Sequence, residues 1–551
     1  MKIKNQTQIY TSILVKGKPA LTFIQQKEFI NKWSILAKQT IGFTICQEPS
    51  FVLSWYKYYL EQFNPIIIYA IKENNLVGLI CLAWHKEKKY LTHAGGEDAE
   101  YHGWLANPSV ELRFLQDVFT IVKRDIPISR WDWRWLPPSC SNFIFNAIPK
   151  NISYSFIEQK SPKWNLEKTE KLQQLFKSKS IRVKNNRFKK RGAFYLETIT
   201  TITRLKEVFP EIIAQHDFIK EIHYNVQPYK EDEKKQLFFC ELVQQGVGQM
   251  HVLWLNNDVI ASHLGIGNSQ RIYLCSITYS PSESKQSPGT LLLTKLGQLF
   301  DAEGISVFDL TPGEGTYKDR FANEYEPVYK FSFYLQPHIS ISGKSKAYLK
   351  QALKRGGNYF GIDSVKQKEL IKKIDALKFS FTKYSSKKIS SSLQPLFQQE
   401  AVFYKWNVPL KKEPKSKFEI PIRIQKYQDL QTIECPIERR ILLTTALENF
   451  KKGGKLFTAV RKEDGLLQWS CWLSPLKKSI YSNLSESNKN TYLLHEFSIH
   501  TELNTPKDII EHLCQTLYTI QNIITPNNLI IKLSKNIACT PRCNQLELKP
   551  I

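Results

Sequence analysis

The stretch from Gln249 to Leu310 constrains the fold more than any other part of the chain. Three apolar runs follow one another closely, Gln249 to Leu255, Val259 to Gly267 and Arg271 to Tyr279. Asn256-Asn257-Asp258 joins the first two and Asn268-Ser269-Gln270 the next two. Turn residues between short runs of β-branched and aromatic residues predict a β-meander. A loop, Ser280 to Pro288, then opens a run of helical period from Gly289 to Ala302, which Glu303-Gly304 ends before a strand at Ile305 to Leu310. Antiparallel strands linked by one helical crossover to a parallel strand require a mixed sheet, so the class is α+β, mostly antiparallel and flanked by helices.

The same order recurs on both sides. Upstream, an amphipathic helix at Phe51 to Phe63 precedes strands at Ile66 to Ile71 and Leu76 to Trp84, joined by Glu73-Asn74-Asn75. A helix at Val110 to Arg124 and a strand at Trp131 to Leu136 follow, with Pro137-Pro138 as the stop. Helices at Ile202 to Tyr224 and Glu231 to Gln245 lead into the meander. Downstream, strands at Leu456 to Arg461 and Leu466 to Leu473 flank Lys462-Glu463-Asp464-Gly465. A strand at Tyr492 to His500, a helix at Pro506 to Ile520 and a strand at Asn528 to Leu533 complete that copy. The expected organisation is a first unit at 1–150, a second at 151–340, a Lys/Ser-rich connection at 341–417, and an α+β unit at 418–551.

Several function classes are excluded at this level. No run approaches the ~18 apolar residues of a membrane helix, and the first residues lack the apolar core and cleavage site of a signal peptide, so a cytoplasmic protein is expected. The ten cysteines are scattered without a Cys-x-x-Cys pair, which reads as buried free thiols, with no metal expected. Lys and Arg (77) exceed Asp and Glu (51), a net charge of +26 that suits phosphate-bearing ligands. No nucleic-acid-binding motif accompanies that charge, and the basic helix Arg182 to Arg191 reads as a solvated face. Trp131, Trp133 and Trp135 alternate with period two and are placed on one strand face, for packing or for stacking a sugar.

Gln286-Ser287-Pro288-Gly289-Thr290 lies where a strand passes to a helix N-terminus, whose unpaired N–H groups can take a pyrophosphate. Ser287 can cap the helix, Pro288 suits its first turn and Gly289 admits a ligand close to the backbone. Ser-Pro-Gly can equally do no more than start a helix.

The second unit resembles the GNAT acyltransferase fold, whose Gln/Arg-x-x-Gly-x-Gly/Ala loop cradles the pyrophosphate of acyl-CoA. Gln286-x-x-Gly289 matches the first half of that pattern, and Leu291 stands in place of the second Gly or Ala. Ser287-Pro288-Gly289, Phe308-Asp309-Leu310 and Gly313-Glu314-Gly315-Thr316-Tyr317-Lys318 follow in the order of the CelD/BcsL-like acetyltransferases. Leu76-Val77-Gly78-Leu79-Ile80 and Glu221-Ile222-His223 extend the similarity over about residues 35 to 335. The resemblance implies tandem GNAT-like units arranged as in the FemABX aminoacyltransferases, the C-terminal unit being a further, degenerate copy.

It implies, further, that acetyl-CoA is the co-substrate, held by Ile277, Gln286, Ser287, Pro288, Gly289 and Thr290. Acyl transfer needs a base, a carbonyl polariser and an acid for the leaving thiolate. Asp309 or Glu314 is the candidate base, Tyr317 the proton donor and Lys318 the anion binder, with His223 a further candidate; each has a purely positional alternative. His263 points either to the cleft or to the core. The acceptor implied is a small molecule or glycan, a sugar or cell-envelope or exopolysaccharide intermediate bearing an amine or hydroxyl. Two rivals stand beside this reading: transfer of an aminoacyl group from charged tRNA, the one nucleic-acid partner considered, and a non-catalytic binding scaffold.

Overall fold

The computed structural model describes residues 10–137, 140–313, 315–335, 401–406, 422–475, 492–499, 506–523, 529–534 and 549–550. They fall into two compact units, Met1–Pro210 with Asp232–Ile277 and Gly289–Gln367, and Glu211–Glu231 with Thr278–Pro288 and Lys368–Ile551.

The first unit is built on one 13-stranded mixed sheet. Its first strands are β1 (Thr11–Lys16), β2 (Phe63–Lys72), β3 (Asn75–His85), β4 (Tyr90–His93), β5 (Leu105–Ala106) and β6 (Arg130–Leu136). After β7 (Ser153–Asn165) come β8 (Phe194–Ile199), β9 (Gly248–Leu255), β10 (Asp258–Gly267), β11 (Arg271–Tyr279), β12 (Val307–Asp309) and β13 (Glu324–Tyr334). The spatial order is β1-β2-β3-β4-β6-β13-β7-β12-β11-β10-β9-β8, with β5 on β3.

Two halves of like topology meet in this sheet. In the first, β4 and β6 are parallel neighbours joined through the helix Glu111–Asp125. In the second, β11 and β12 are parallel neighbours joined through the helix Pro288–Ala302. The halves exchange their last strands. β7 follows β6 in the chain but pairs with β12, while β13 follows β12 but pairs with β6, and β7 and β13 pair with each other.

Apolar patterning explains which strands lie inside. Ile66, Ile67 and Ile68 are all buried, so β2 is covered on both faces. One face packs on Trp33, Phe51 and Trp55; the other packs on Phe114 and Phe119 of the crossover helix with Trp131, Trp133 and Phe333. Trp135 departs from the expected shared face. Lys330 faces Trp135 while Phe331 faces Trp133, so Arg134 is an extra residue, a β-bulge that reverses the alternation and sends Trp135 to the opposite cluster. Trp131 and Trp133 are fully buried core residues. In the second half, the helix Pro288–Ala302 packs closely at Gly297, where a Cβ would lie 2.3 Å from the Trp164 ring. The basic helix, Lys179–Lys189, buries Ile181 and Phe188 and exposes Arg182, Arg187 and Lys189, as a solvated face does.

The second unit carries a seven-stranded sheet. Its strands are β14 (Ala401–Trp406), β15 (Arg423–Ile424), β16 (Lys455–Val460), β17 (Leu467–Pro475), β18 (Tyr492–Ile499), β19 (Leu529–Ser534) and β20 (Lys549–Pro550). β18 and β19 are parallel neighbours joined through the helix Pro506–Ile523, and β14 lies antiparallel on β19 as β7 lies on β12. The eight described cysteines are all free thiols, buried or half-buried; Cys539 and Cys543 lie outside the described residues. Among the described residues no helix is long and apolar enough to cross a membrane, and no cluster of side chains is set to hold a metal.

Candidate active site

The parallel strands β11 and β12 pair only over Arg271↔Val307, Ile272↔Phe308 and Tyr273↔Asp309. Beyond that point β11 runs on to Tyr279, while the chain after Asp309 turns away. The turn is held in a left-handed conformation at Thr311 (φ 58°), unusual for a β-branched residue. The Thr311 N–H donates to Asp309 Oδ1 at 2.9 Å, and its hydroxyl donates to the Leu274 carbonyl at 3.0 Å. Lys318 Nζ donates to the Thr311 carbonyl at 2.8 Å from behind.

Asp309 thus sits at the base of the split, 1% exposed. Tyr101 donates its hydroxyl to Asp309 Oδ1 at 3.0 Å and shares a second hydrogen bond with Ser161 Oγ at 2.8 Å. Burial pushes the carboxyl pKa of Asp309 up; Lys163, the Thr311 N–H, Arg271 and Tyr101 each pull it back in part. Burial, and then the charge of Asp309, push the Tyr101 hydroxyl well above its ordinary pKa, so it remains a proton donor. Asp309 and Tyr273 open on a cleft of about 1040 Å³ lined also by Lys163, Arg271 and Glu326. Lys163 and Glu326 form an ion pair within it.

The equivalent split of the first half is closed. β4 and β6 pair at Tyr90↔Arg130 and Leu91↔Trp131, and beyond them Tyr101 bridges to Trp135 while the His102 N–H donates to the Trp135 carbonyl at 3.0 Å. His102 Nδ1 accepts the Arg134 N–H at 2.8 Å, which leaves Nε2 to donate to the Gly96 carbonyl at 2.9 Å. The segment that plugs the first split therefore delivers Tyr101 to the second.

Residues 176–319 match the family model described as "Acetyltransferase (GNAT) domain". Over that segment the fold is that of a GNAT domain. None of the curated protein sequences matches the chain. Among solved structures, FemX is similar at 11% identity and TM-score 0.40, over 56% of this chain and 96% of its own. A tandem GNAT protein from the clavulanic acid biosynthesis pathway is similar at 10% identity and TM-score 0.36, over 60% and 99%. A conserved protein of unknown function from Bacteroides thetaiotaomicron VPI-5482 is similar at 11% identity and TM-score 0.39, over 55% and 97%. At these scores the likenesses say nothing about substrate.

Within the GNAT domain, Ile277 is half-buried on β11 past the split. A short 3₁₀ turn, Pro281–Gln286, leads to Ser287, which adopts a left-handed conformation (φ 55°) and donates its N–H to the Ser284 carbonyl. Ser287 therefore ends the preceding turn instead of taking the extended conformation of a helix cap. Pro288 opens the crossover helix as expected and is buried, while Gln286, Gly289 and Thr290 are half-buried.

The other candidates separate. Glu314 lies outside the described residues. Tyr317 is 37% exposed, and buried Lys318 braces the Thr311 loop. His223 is exposed beside Tyr224 on a part of its helix that belongs to the second compact unit. His263 is a core residue, fully buried against His251, Phe300 and Phe308. Tyr101, Lys163 and Arg271 were not foreseen as site residues: the plugged split and the strand exchange that bring Tyr101 and Lys163 to Asp309 leave no local signature, and Arg271 stands at the start of β11 outside any motif.

Proposed function

We propose that the GNAT domain transfers an acetyl group from acetyl-CoA to an amine or hydroxyl of a small-molecule or glycan acceptor, of the kind found among cell-envelope and exopolysaccharide intermediates. The observation that carries this reading is the parting of β11 and β12 at Tyr273 and Asp309, with a buried carboxylate at the base, inside the segment that matches the GNAT family.

The residues present suit the co-substrate. Past Leu274, whose carbonyl takes the Thr311 hydroxyl, β11 runs on without β12 and its edge suits the amides of a pantetheine arm; Ser276 Oγ on that stretch is buried with no partner among the described residues. The 15-residue helix Pro288–Ala302 turns its first N–H groups toward a pyrophosphate, with Gln286, Ser287, Gly289 and Thr290 around its start. Acetyl-CoA supplies a thioester whose C–S bond breaks as the acceptor's C–N or C–O bond forms, the thiolate leaving with the proton the acceptor gives up. Asp309 holds that proton in between, its burial raising its affinity for it. Tyr101 fixes the carboxylate through Oδ1, and the Thr311 turn fixes the same oxygen from the backbone.

Isothermal calorimetry with acetyl-CoA tests the reading. Saturable binding is expected from the intact chain and none from Gly289→Trp; absence of binding to the intact chain contradicts it.

A further inference from the structure

Six charged side chains line the cleft beside Asp309: Lys38, Lys163, Arg271, Glu48, Asp309 and Glu326. Three are cationic and three anionic, so the lining carries no net charge despite the +26 of the chain. A cleft built for a polyanion would be expected to share the chain's excess. Lys163 and Glu326 satisfy one another. Arg271 and Asp309 form no ion pair with each other or with another described residue within 4 Å; Tyr273 hydrogen-bonds the Arg271 side chain, and Asp309, which feels the charge of Lys163 first and of Arg271 after it, accepts from Tyr101 and the Thr311 N–H on one oxygen. The Arg271 guanidinium is half-buried on the first residue of β11, and Asp309 is buried opposite Tyr273 two residues along. One cation and one carboxylate, neither of them in an ion pair, therefore line the same space.

Partly desolvated charges left apart in a cleft are costly unless a ligand supplies the opposite charges. We infer that the cleft binds a zwitterionic acceptor, a primary amine that also carries a carboxylate or a phosphate, with the acidic group on Arg271 and the ammonium on Asp309. The inference rests on the acyltransferase reading for the fate of the amine, but the binding it asserts is independent of acetyl-CoA. A planar guanidinium grips either acidic group through paired N–H donors, and exposed Lys38 adds charge at the rim. The carboxylate of Asp309 both attracts the ammonium and stands where its proton must go.

Calorimetry on the full chain without acetyl-CoA tests this directly, with O-phosphoethanolamine, β-alanine and the neutral-tailed ethanolamine and propylamine as probes. At least one of the two acid-bearing amines should bind about tenfold or more tighter than the neutral-tailed amines, and the better of the two tells whether the acidic group is phosphate or carboxylate. Arg271→Gln should erase the difference and Arg271→Lys keep part of it. If Arg271→Gln does not fold, displacement of the bound amine by inorganic phosphate from the unaltered chain is the second measurement. Equal binding of all four amines, no binding of any acid-bearing amine, or discrimination that survives Arg271→Gln overturns the inference. Binding of acid-bearing amines by a chain that binds no acetyl-CoA would uphold it while removing the acetyl-CoA reading.

Discussion

The Tyr101 hydroxyl donates to Asp309 Oδ1 at 3.0 Å although 208 residues separate the two. Tyr101 comes from the segment that closes the split of the first half, and Asp309 from the base of the open split in the second. The half whose split is closed thus supplies a positioning group to the half proposed as active.

Replacing Tyr101 by Phe keeps the ring and removes the donor. The hydrogen bond from Tyr101 lowers the Asp309 pKa, so its loss moves that pKa further up. The unprotonated base then requires a higher pH, and the acidic limb of the acetyl-transfer rate should shift upward, with a loss at neutral pH of roughly 10-fold or more. A pH–rate profile checks this; an unmoved acidic limb would show that Tyr101 is only packing.

Asp309→Asn retains an acceptor for Tyr101 and the Thr311 N–H but cannot take a proton. The expected outcome is a fall in kcat of about 10²–10⁴-fold with the acetyl-CoA dissociation constant unchanged. Thiol release under saturating acetyl-CoA measures the first and calorimetry the second.

Gly297 is where the crossover helix meets Trp164 of β7, with a Cβ position only 2.3 Å from the ring. Gly297→Ala forces helix and strand apart and should destabilise the fold by about 1–3 kcal/mol, read from the urea midpoint. Because β7 is the exchanged strand, acetyl transfer should fall with it.

His251 and His263 share one hydrogen bond, Nδ1 to Nδ1 at 3.2 Å, in the core beneath the crossover helix. Burial drives both pKa values down, that of His251 from 6.5 to about 4 and that of His263 well below 6.5, where the charge of His251 adds to the effect. A histidine that takes up its proton only on unfolding costs stability as pH falls below its unfolded value. His251 therefore contributes a loss of about 1.4 kcal/mol per pH unit between pH 6.5 and about 4, and none above, and His263 acts in the same direction. Urea titrations across that range check the slope, and His251→Gln should flatten it.

The meander Gln249 to Tyr279, the crossover helix and the hairpins were legible because each rests on local periodicity and turn chemistry. The long strands β7 and β13 were not. Each contains a proline, Pro162 and Pro327, and β7 exposes Phe156 and Ile157, so neither reads as an interior strand of a sheet. Their pairing is non-local, 153–165 with 324–334, and no window of sequence reports it. The candidate site divides in the same way. Asp309, Arg271 and the Gln286–Thr290 loop lie on the meander and crossover that strand-to-helix order predicts, whereas Tyr101 and Lys163 reach Asp309 only through the plugged split and the exchange. Trp135 failed because a bulge at Arg134 cannot be seen in an alternating pattern.

Hydrogen–deuterium exchange with and without acetyl-CoA tests the central claim most directly, because it reports where the co-substrate sits. Added acetyl-CoA should slow exchange over residues 274–277 and 286–290, and leave the closed split around residues 93–102 unchanged. Protection at residues 93–102 with none at 274–290, or no protection anywhere, would contradict the account.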